Sequence, residues 1–238
     1  MTVRHTGAVI FDLFGTLIPN FSQVEYQAMA EETATVVGAP MEEFVRVYMH
    51  NTYPLRLTGE LVSAEANIEY VCQRLGVRPK PERVAEAARL RIELTRRTLL
   101  APLPGAVPAL RELRESGYRI GLLRDCSAEV PLLWPETELA ALIDEPVFSC
   151  KVGLRKPDPR LYQLVCERLG FEPAQCLYVA DGSGKELSGA IVVGMRAALI
   201  RVEYDETTDA DRPEVPTWKG LELQALADVL AVVEKRHQ

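Results

Sequence analysis

The five cysteines, Cys72, Cys126, Cys150, Cys166 and Cys176, form no C-x-x-C pair, and their number is odd. That argues against zinc and against a disulfide framework, and it predicts free thiols in a reducing compartment. Positive charge is also scarce: 27 Lys and Arg stand against 34 Asp and Glu, a formal net charge of −7. Chains built to hold nucleic acid usually carry a basic stripe, so nucleic acid is not an expected partner. A small anionic substrate remains open, because local fields outweigh totals. No apolar run is long enough to span a bilayer. Residues 1–7 lack the basic and apolar regions of a signal peptide. The cytoplasm is therefore the expected location, with no membrane partner. There are no internal repeats and no low-complexity segments. The hydrophobic fraction of 47% in 238 residues is ordinary for a globular protein with a substantial core.

Residues 20–98 also lack a convincing strand. They read as helices with apolar residues at helical spacing: one from Ser22 to Gly38, one over about Met41–Asn51, one over 63–75 capped by Ser63, and one over 81–99 opening at Pro81. After Pro102, Pro104 and Gly105 the pattern changes. Helix Ala106–Ser116 leads to strand Arg119–Leu123, and then come a Ser127-capped helix and strand Pro146–Phe148. Helix 159–169, opened by Asp158, precedes strand Cys176–Val179. Helix 185–193 and strand Ala197–Val202 follow, then a loop over 203–217 and a closing helix over 222–235. Repeated alternation of helix and strand predicts an α/β fold with a doubly wound parallel sheet. The strand Ala8–Asp12 is too apolar to stand alone and belongs inside that sheet. The expected division is a core of residues 1–19 and 99–238 with an inserted helical block over 20–98.

The first strand delivers one carboxylate, Asp12, to its C-terminal end, followed by a turn through Gly15 and Thr16. Such sheets bind ligands at the carboxyl ends of their strands. Three more polar clusters stand at predicted strand ends: Arg124-Asp125-Cys126-Ser127, the loop Gly153–Pro159 with Lys156, and Asp181-Gly182-Ser183-Gly184-Lys185-Glu186. Each has a plain structural reading as well. Asp12 could be an exit-turn residue, Asp125 or Ser127 a helix cap, Lys156 a solvated lysine, and Asp181-Gly182 a turn. What distinguishes them is that all four lie in order along one sheet edge.

With these motifs the chain resembles the haloacid dehalogenase-like hydrolase superfamily. Asp12-Leu13-Phe14-Gly15-Thr16-Leu17 is similar to its first motif, Lys156-Pro157 to its third and Asp181 to its fourth, and residues 20–98 resemble its helical cap on a Rossmann-like core. The resemblance implies that Asp12 is a nucleophile forming a covalent aspartyl intermediate and that Lys156 neutralises charge beside it. It also implies that Asp12, Asp181 and the Phe14 carbonyl hold Mg²⁺. Phe14, Thr16, Arg46, Arg124 and Asp125 are the expected substrate-side residues.

Three positions depart from the pattern. Family phosphatases carry a second aspartate as general acid–base where this chain has Phe14, and a halide needs no such proton. Arg124 and Asp125 replace the hydroxyl residue, and the Asn that often follows it, in the second motif. Arg124 could clamp an anionic substrate with its planar fork, or pair with Asp12 or Asp181 and displace the metal. Lys185 stands where an acid or amide is common and could lend charge to Asp181. Arg46, with Arg56 further on, is the candidate cap arginine. The leading expectation is a phosphatase-like hydrolase of a small anionic metabolite, as a monomer or homodimer. The alternatives are a metal-independent haloacid dehalogenase and a silent binding protein.

Overall fold

The computed structural model describes residues 7–201 and 212–235. The expected strand end at Val202, most of the 203–217 loop and the first six residues lie outside them. Six parallel strands form one sheet: β1 (Ala8–Phe11), β2 (Arg119–Arg124), β3 (Glu145–Phe148), β4 (Cys176–Ala180), β5 (Arg196–Ile200) and β6 (Leu221–Leu223), in the order β3-β2-β1-β4-β5-β6. The expected doubly wound parallel sheet is what the chain forms. Because β1 is central, helices cover both of its faces, and all four of its residues are buried. Val9, Phe11, Ile120, Leu122 and Val179 face one side, where α6 (Ala106–Glu115) and α11 (Asp228–Glu234) pack. Ile10, Leu123, Tyr178 and Ala180 face the other, against α9 (Pro159–Leu169) and α10 (Glu186–Val192). This period-two alternation is the signature of a strand buried on both faces.

Five helices stand between β1 and α6: α1 (Gln23–Val37), α2 (Met41–Arg46), α3 (Tyr53–Leu57), α4 (Ala64–Arg74) and α5 (Pro81–Leu99). They enclose a hydrophobic cluster of their own around Met29, Phe44, Tyr48, Ile68, Val71 and Ala87. Ser63 caps α4 as expected, accepting from the Ala66 N–H at 3.1 Å. Asp158 caps α9, accepting from Arg160 N–H at 3.0 Å.

Several local expectations are corrected. The helix expected over 41–51 is α-helical only to Arg46 and then widens into a π-turn at Val47–Asn51, where Thr52 Oγ1 donates to the Tyr48 carbonyl at 2.7 Å. Ser127 does not cap α7 (Glu129–Leu133). Its hydroxyl instead accepts from Arg91 Nη2 at 3.3 Å. The closing helix expected over 222–235 begins only at Asp228. Leu221–Leu223 pair with β5 as an edge strand, because Leu223 fills the core and Asp228 accepts the N–H groups of Gln224 and Ala225 between the two elements.

Candidate active site

The register places the functional side chains on one rim. Phe11 lies beside Leu122 and Val179, so Asp12 leaves β1 level with the ends of β2 and β4, and its N–H still donates to Val179 O at 3.0 Å. The chain then reverses sharply. Gly15 takes φ +72°, and a Cβ there would sit 2.3 Å from Asp181 Oδ2. Glycine at this position thus serves both the turn and the close approach of the fourth cluster.

Asp12 is fully buried and carries two cations. Lys156 Nζ donates to Oδ1 at 2.7 Å, and Arg124 Nη1 donates to Oδ2 at 3.0 Å and Oδ1 at 3.3 Å. Lys156 also donates to Glu186 Oε2, which accepts from Tyr178 OH at 2.9 Å as well. Asp181 accepts from Arg212 Nε at 2.9 Å and from the Ser183 N–H at 3.1 Å. Asp125 accepts the Lys156 backbone N–H at 3.1 and 3.2 Å, so it fixes the loop that presents the lysine.

Three buried carboxylates, Asp12, Asp181 and Glu186, are thus interleaved with Arg124, Lys156 and Arg212. The electrostatics follow. Burial presses the Lys156 ammonium toward neutrality, but Asp12 and Glu186 more than offset it, and the net shift is upward. Burial pushes the Glu186 carboxyl up against the pull of Lys156. Burial also acts to raise Asp181, yet Arg212 and the hydrogen bonds around it hold that carboxyl below its usual range.

Oxygens of Asp12, Asp181 and Glu186 lie within 4.8 Å of one another. Hard carboxylate oxygens at this spacing suit a hard divalent cation, and the space left by the missing Gly15 side chain is taken by Asp181. Those oxygens also hold Arg124, Lys156 and Arg212, so each of the three carboxyl groups is already engaged by a cation.

Above the network lies a cavity of about 550 Å³ whose wall includes Arg124, Asp125, Lys156, Asp181 and Tyr53. Phe14 is buried and stacks on Phe21 at 4.8 Å between ring centroids. The Arg124 guanidinium lies 4.4 Å above the Phe14 ring. The ring is therefore a shelf that holds Arg124 over Asp12. Of the two geometries open to Arg124, pairing with Asp12 is the one found.

Three expectations fail here. Arg46 sits exposed on α2 and does not line this cavity; the cap arginine that turns inward is Arg56, which is buried. Thr16 is fully buried, its hydroxyl has no hydrogen-bond partner, and it does not line the cavity. Lys185 is exposed at φ +58° rather than held against Asp181; Arg212 supplies the charge instead.

A model of the haloacid dehalogenase-like hydrolases matches residues 6–194. The chain belongs to that family. As a haloacid dehalogenase-like hydrolase it has relatives of both kinds. It is 27% identical over 237 residues to the glyceraldehyde 3-phosphate phosphatase of Methanopyrus kandleri, covering 96% of this chain and 98% of that one. It is 26% identical over 202 residues to (S)-2-haloacid dehalogenase 4A of Burkholderia cepacia, covering 81% and 82%. The crystal structure of a HAD phosphatase from Thermococcus onnurineus superposes with a TM-score of 0.65 at 21% identity, covering 95% of this chain and 97% of that one. Among the described residues no helix is long and apolar enough to cross a membrane. Arg212, from a stretch read as plain loop, and Arg91, from α5, are site residues that the motifs did not point to.

Proposed function

We propose that this hydrolase uses Asp12 as a nucleophile on a small phosphorylated metabolite whose leaving group departs without a proton. The observation that carries this reading is the Lys156–Asp12 pair at 2.7 Å, at the central strand's end and beneath an open cavity. Lys156 sets its ammonium against the Asp12 carboxylate and orients it beneath the cavity. An incoming phosphoryl group competes for Arg124, whose planar fork matches its oxygens. Arg124 then lifts from Asp12, uncovering the carboxylate while anchoring the substrate. A carboxylate oxygen bonds to phosphorus as the bond to the leaving oxygen breaks, and water hydrolyses the aspartyl phosphate to return Asp12 and phosphate. With Phe14 in the acid–base position, the leaving oxygen departs as an anion, which favours acyl and aryl phosphates. Asp12, Asp181 and Glu186 would hold Mg²⁺, with the Phe14 carbonyl as a further oxygen. Bound there, the ion supplies charge neutralisation for the transferring group.

Phe14 also favours a second reading. A halide leaves without a proton, so attack of Asp12 on an sp³ carbon bearing chloride or bromide fits the same site.

The test is turnover of acetyl phosphate and p-nitrophenyl phosphate with Mg²⁺, beside halide release from 2-chloropropionate in EDTA. Phosphate release that Mg²⁺ stimulates, and that falls by about 10⁴-fold or more in Asp12→Asn, is the expected outcome. Halide release alone would replace it with the second reading. Inertness toward all three substrates would leave a binding protein on a hydrolase fold.

A further inference from the structure

A second cavity, of about 260 Å³, lies between the helices and the sheet edge, behind the first. Arg124, Asp125, Phe21 and Tyr53 border both cavities, so the inner one opens onto the reacting centre. Most of its wall is apolar or aromatic: Phe14, Phe21, Tyr26, Met49, Leu57 and Val130. Into this wall the fold sets two further arginines, Arg56 and Arg91, only 5% and 3% exposed.

Neither guanidinium is satisfied. Arg56 donates from Nη1 to Tyr26 OH at 2.6 Å and from Nη2 to the Tyr48 carbonyl at 3.5 Å, while its Nε has no partner. No carboxylate among the described residues pairs with Arg56; besides those two acceptors its charge is met by the rings of Tyr48 and Tyr53, at 5.4 and 5.8 Å. Arg91 lies close to the rings of Phe21 and Tyr26, at 4.8 and 4.7 Å. It donates to Ser127 Oγ at 3.3 Å, but its Nε and Nη1 make no hydrogen bond, and its nearest acid, Glu129, is 3.8 Å away. A buried cation without a counter-ion is strongly unfavourable. Arg56 is such a cation, and Arg91 beside it has only the long contact to Glu129; with Arg56 Nε and Arg91 Nε and Nη1 making no hydrogen bond, the pair offers donors that an entering anion would satisfy.

We propose that the inner cavity is an acid-binding subsite that takes a carboxylate carried on an apolar body. Resting on the hydrolytic reading above, the substrate class becomes a carboxylic acid whose reacting group lies at Asp12. Its apolar middle lies along Phe14 and Phe21, and its carboxylate sits between Arg56 and Arg91. A carboxylate suits the site because its planar oxygens match guanidinium N–H pairs, while the ring walls accept the carbon chain without hydration.

Binding tests this without requiring turnover. Calorimetry with phenylacetate and its neutral isostere phenylacetamide should show the acid binding wild-type protein and the amide binding at least 10-fold more weakly. In Arg56→Gln, phenylacetate affinity should fall roughly 10–100-fold, the range expected for losing a charged hydrogen-bond partner. Arg56→Lys should retain part of it. Asp12→Asn, which removes the nucleophile, should bind phenylacetate no more weakly than wild type. Equal binding of acid and amide, no binding of the acid, or unchanged affinity in Arg56→Gln would each overturn the subsite. The acid–amide comparison uses only wild-type protein, so it stands even if a variant misfolds. Phenylacetate binding without any phosphate or halide turnover would remove the hydrolytic reading and leave the subsite in place.

Discussion

Phe14→Asp should raise the hydrolysis of alkyl phosphates by roughly 10²–10⁴-fold while changing p-nitrophenyl phosphate turnover little. The magnitude is that of general acid–base assistance, and the contrast follows from what each leaving group needs. An alkoxide must be protonated as it departs; p-nitrophenolate need not be. Phe14 is two residues beyond Asp12, its ring faces the Arg124 guanidinium at 4.4 Å, and it borders the inner cavity. A carboxylate there would stand beside both the leaving group and Arg124. The ring's stack on Phe21 would be lost, so a lower melting temperature should accompany the gain. Kinetics on the two substrates separate the effects, since destabilisation would lower both rates together. Equal change for both substrates would remove Phe14 as the reason for the leaving-group preference.

Lys156→Met should cost both activity and stability. One ammonium serves two buried carboxylates, Asp12 and Glu186, each with no exposed surface. Removing it leaves Asp12 with Arg124 alone and takes from Glu186 the cation that draws its carboxyl toward ionisation, a loss of about 3–5 kcal/mol for breaking a buried pair. For a chain of this size that corresponds to a melting temperature lower by roughly 6–20 °C. Turnover should fall on the order of 10²–10³-fold, as when a preorganised charge-stabilising donor is lost. Adding Glu186→Gln to Lys156→Met should recover part of the stability at alkaline pH, where the Glu186 carboxyl would otherwise ionise without its cation, and should not restore turnover. Thermal melts and kcat of the two variants check this. A double variant no more stable than Lys156→Met at alkaline pH would mean that stranded charge is not what the single change costs there.

Much of this was legible in the chain. Four polar clusters at strand ends are a sheet-level regularity, and parallel register carries it directly into space: Asp12, Arg124, Lys156 and Asp181 do converge. The pairing of Arg124 with Asp12 was one of two possible geometries, and only the Phe14 shelf decides between them. Arg46 misled because spacing after Asp12 does not encode which way a helix faces; the Arg46 side of α2 turns to solvent. Arg91 could have been found. It occupies the buried stripe Val84, Ala87, Ala88, Arg91, Leu94, Thr95 of α5, where a charge must have a reason. Arg212 left no such mark, since a loop residue has no periodicity to violate. The edge strand Leu221–Leu223 was hidden for a related reason: three residues are too few to display alternation against a helix.

The chain passes between sheet and helices twice, and the two passages are joined where the Leu103 N–H donates to the Leu17 carbonyl at 2.8 Å. In mechanical terms the helices hang from one riveted joint. Rocking about that joint would part the contacts that reach across farther out: the stacking of Phe14 on Phe21, the reach of Arg91 to Ser127, and the close seating of Gly59 against the Cys150 carbonyl. All three border the chambers or lie beside them. Such rocking would open the outer chamber and loosen the wall of the inner one together, and a ligand held on Arg91 would resist both.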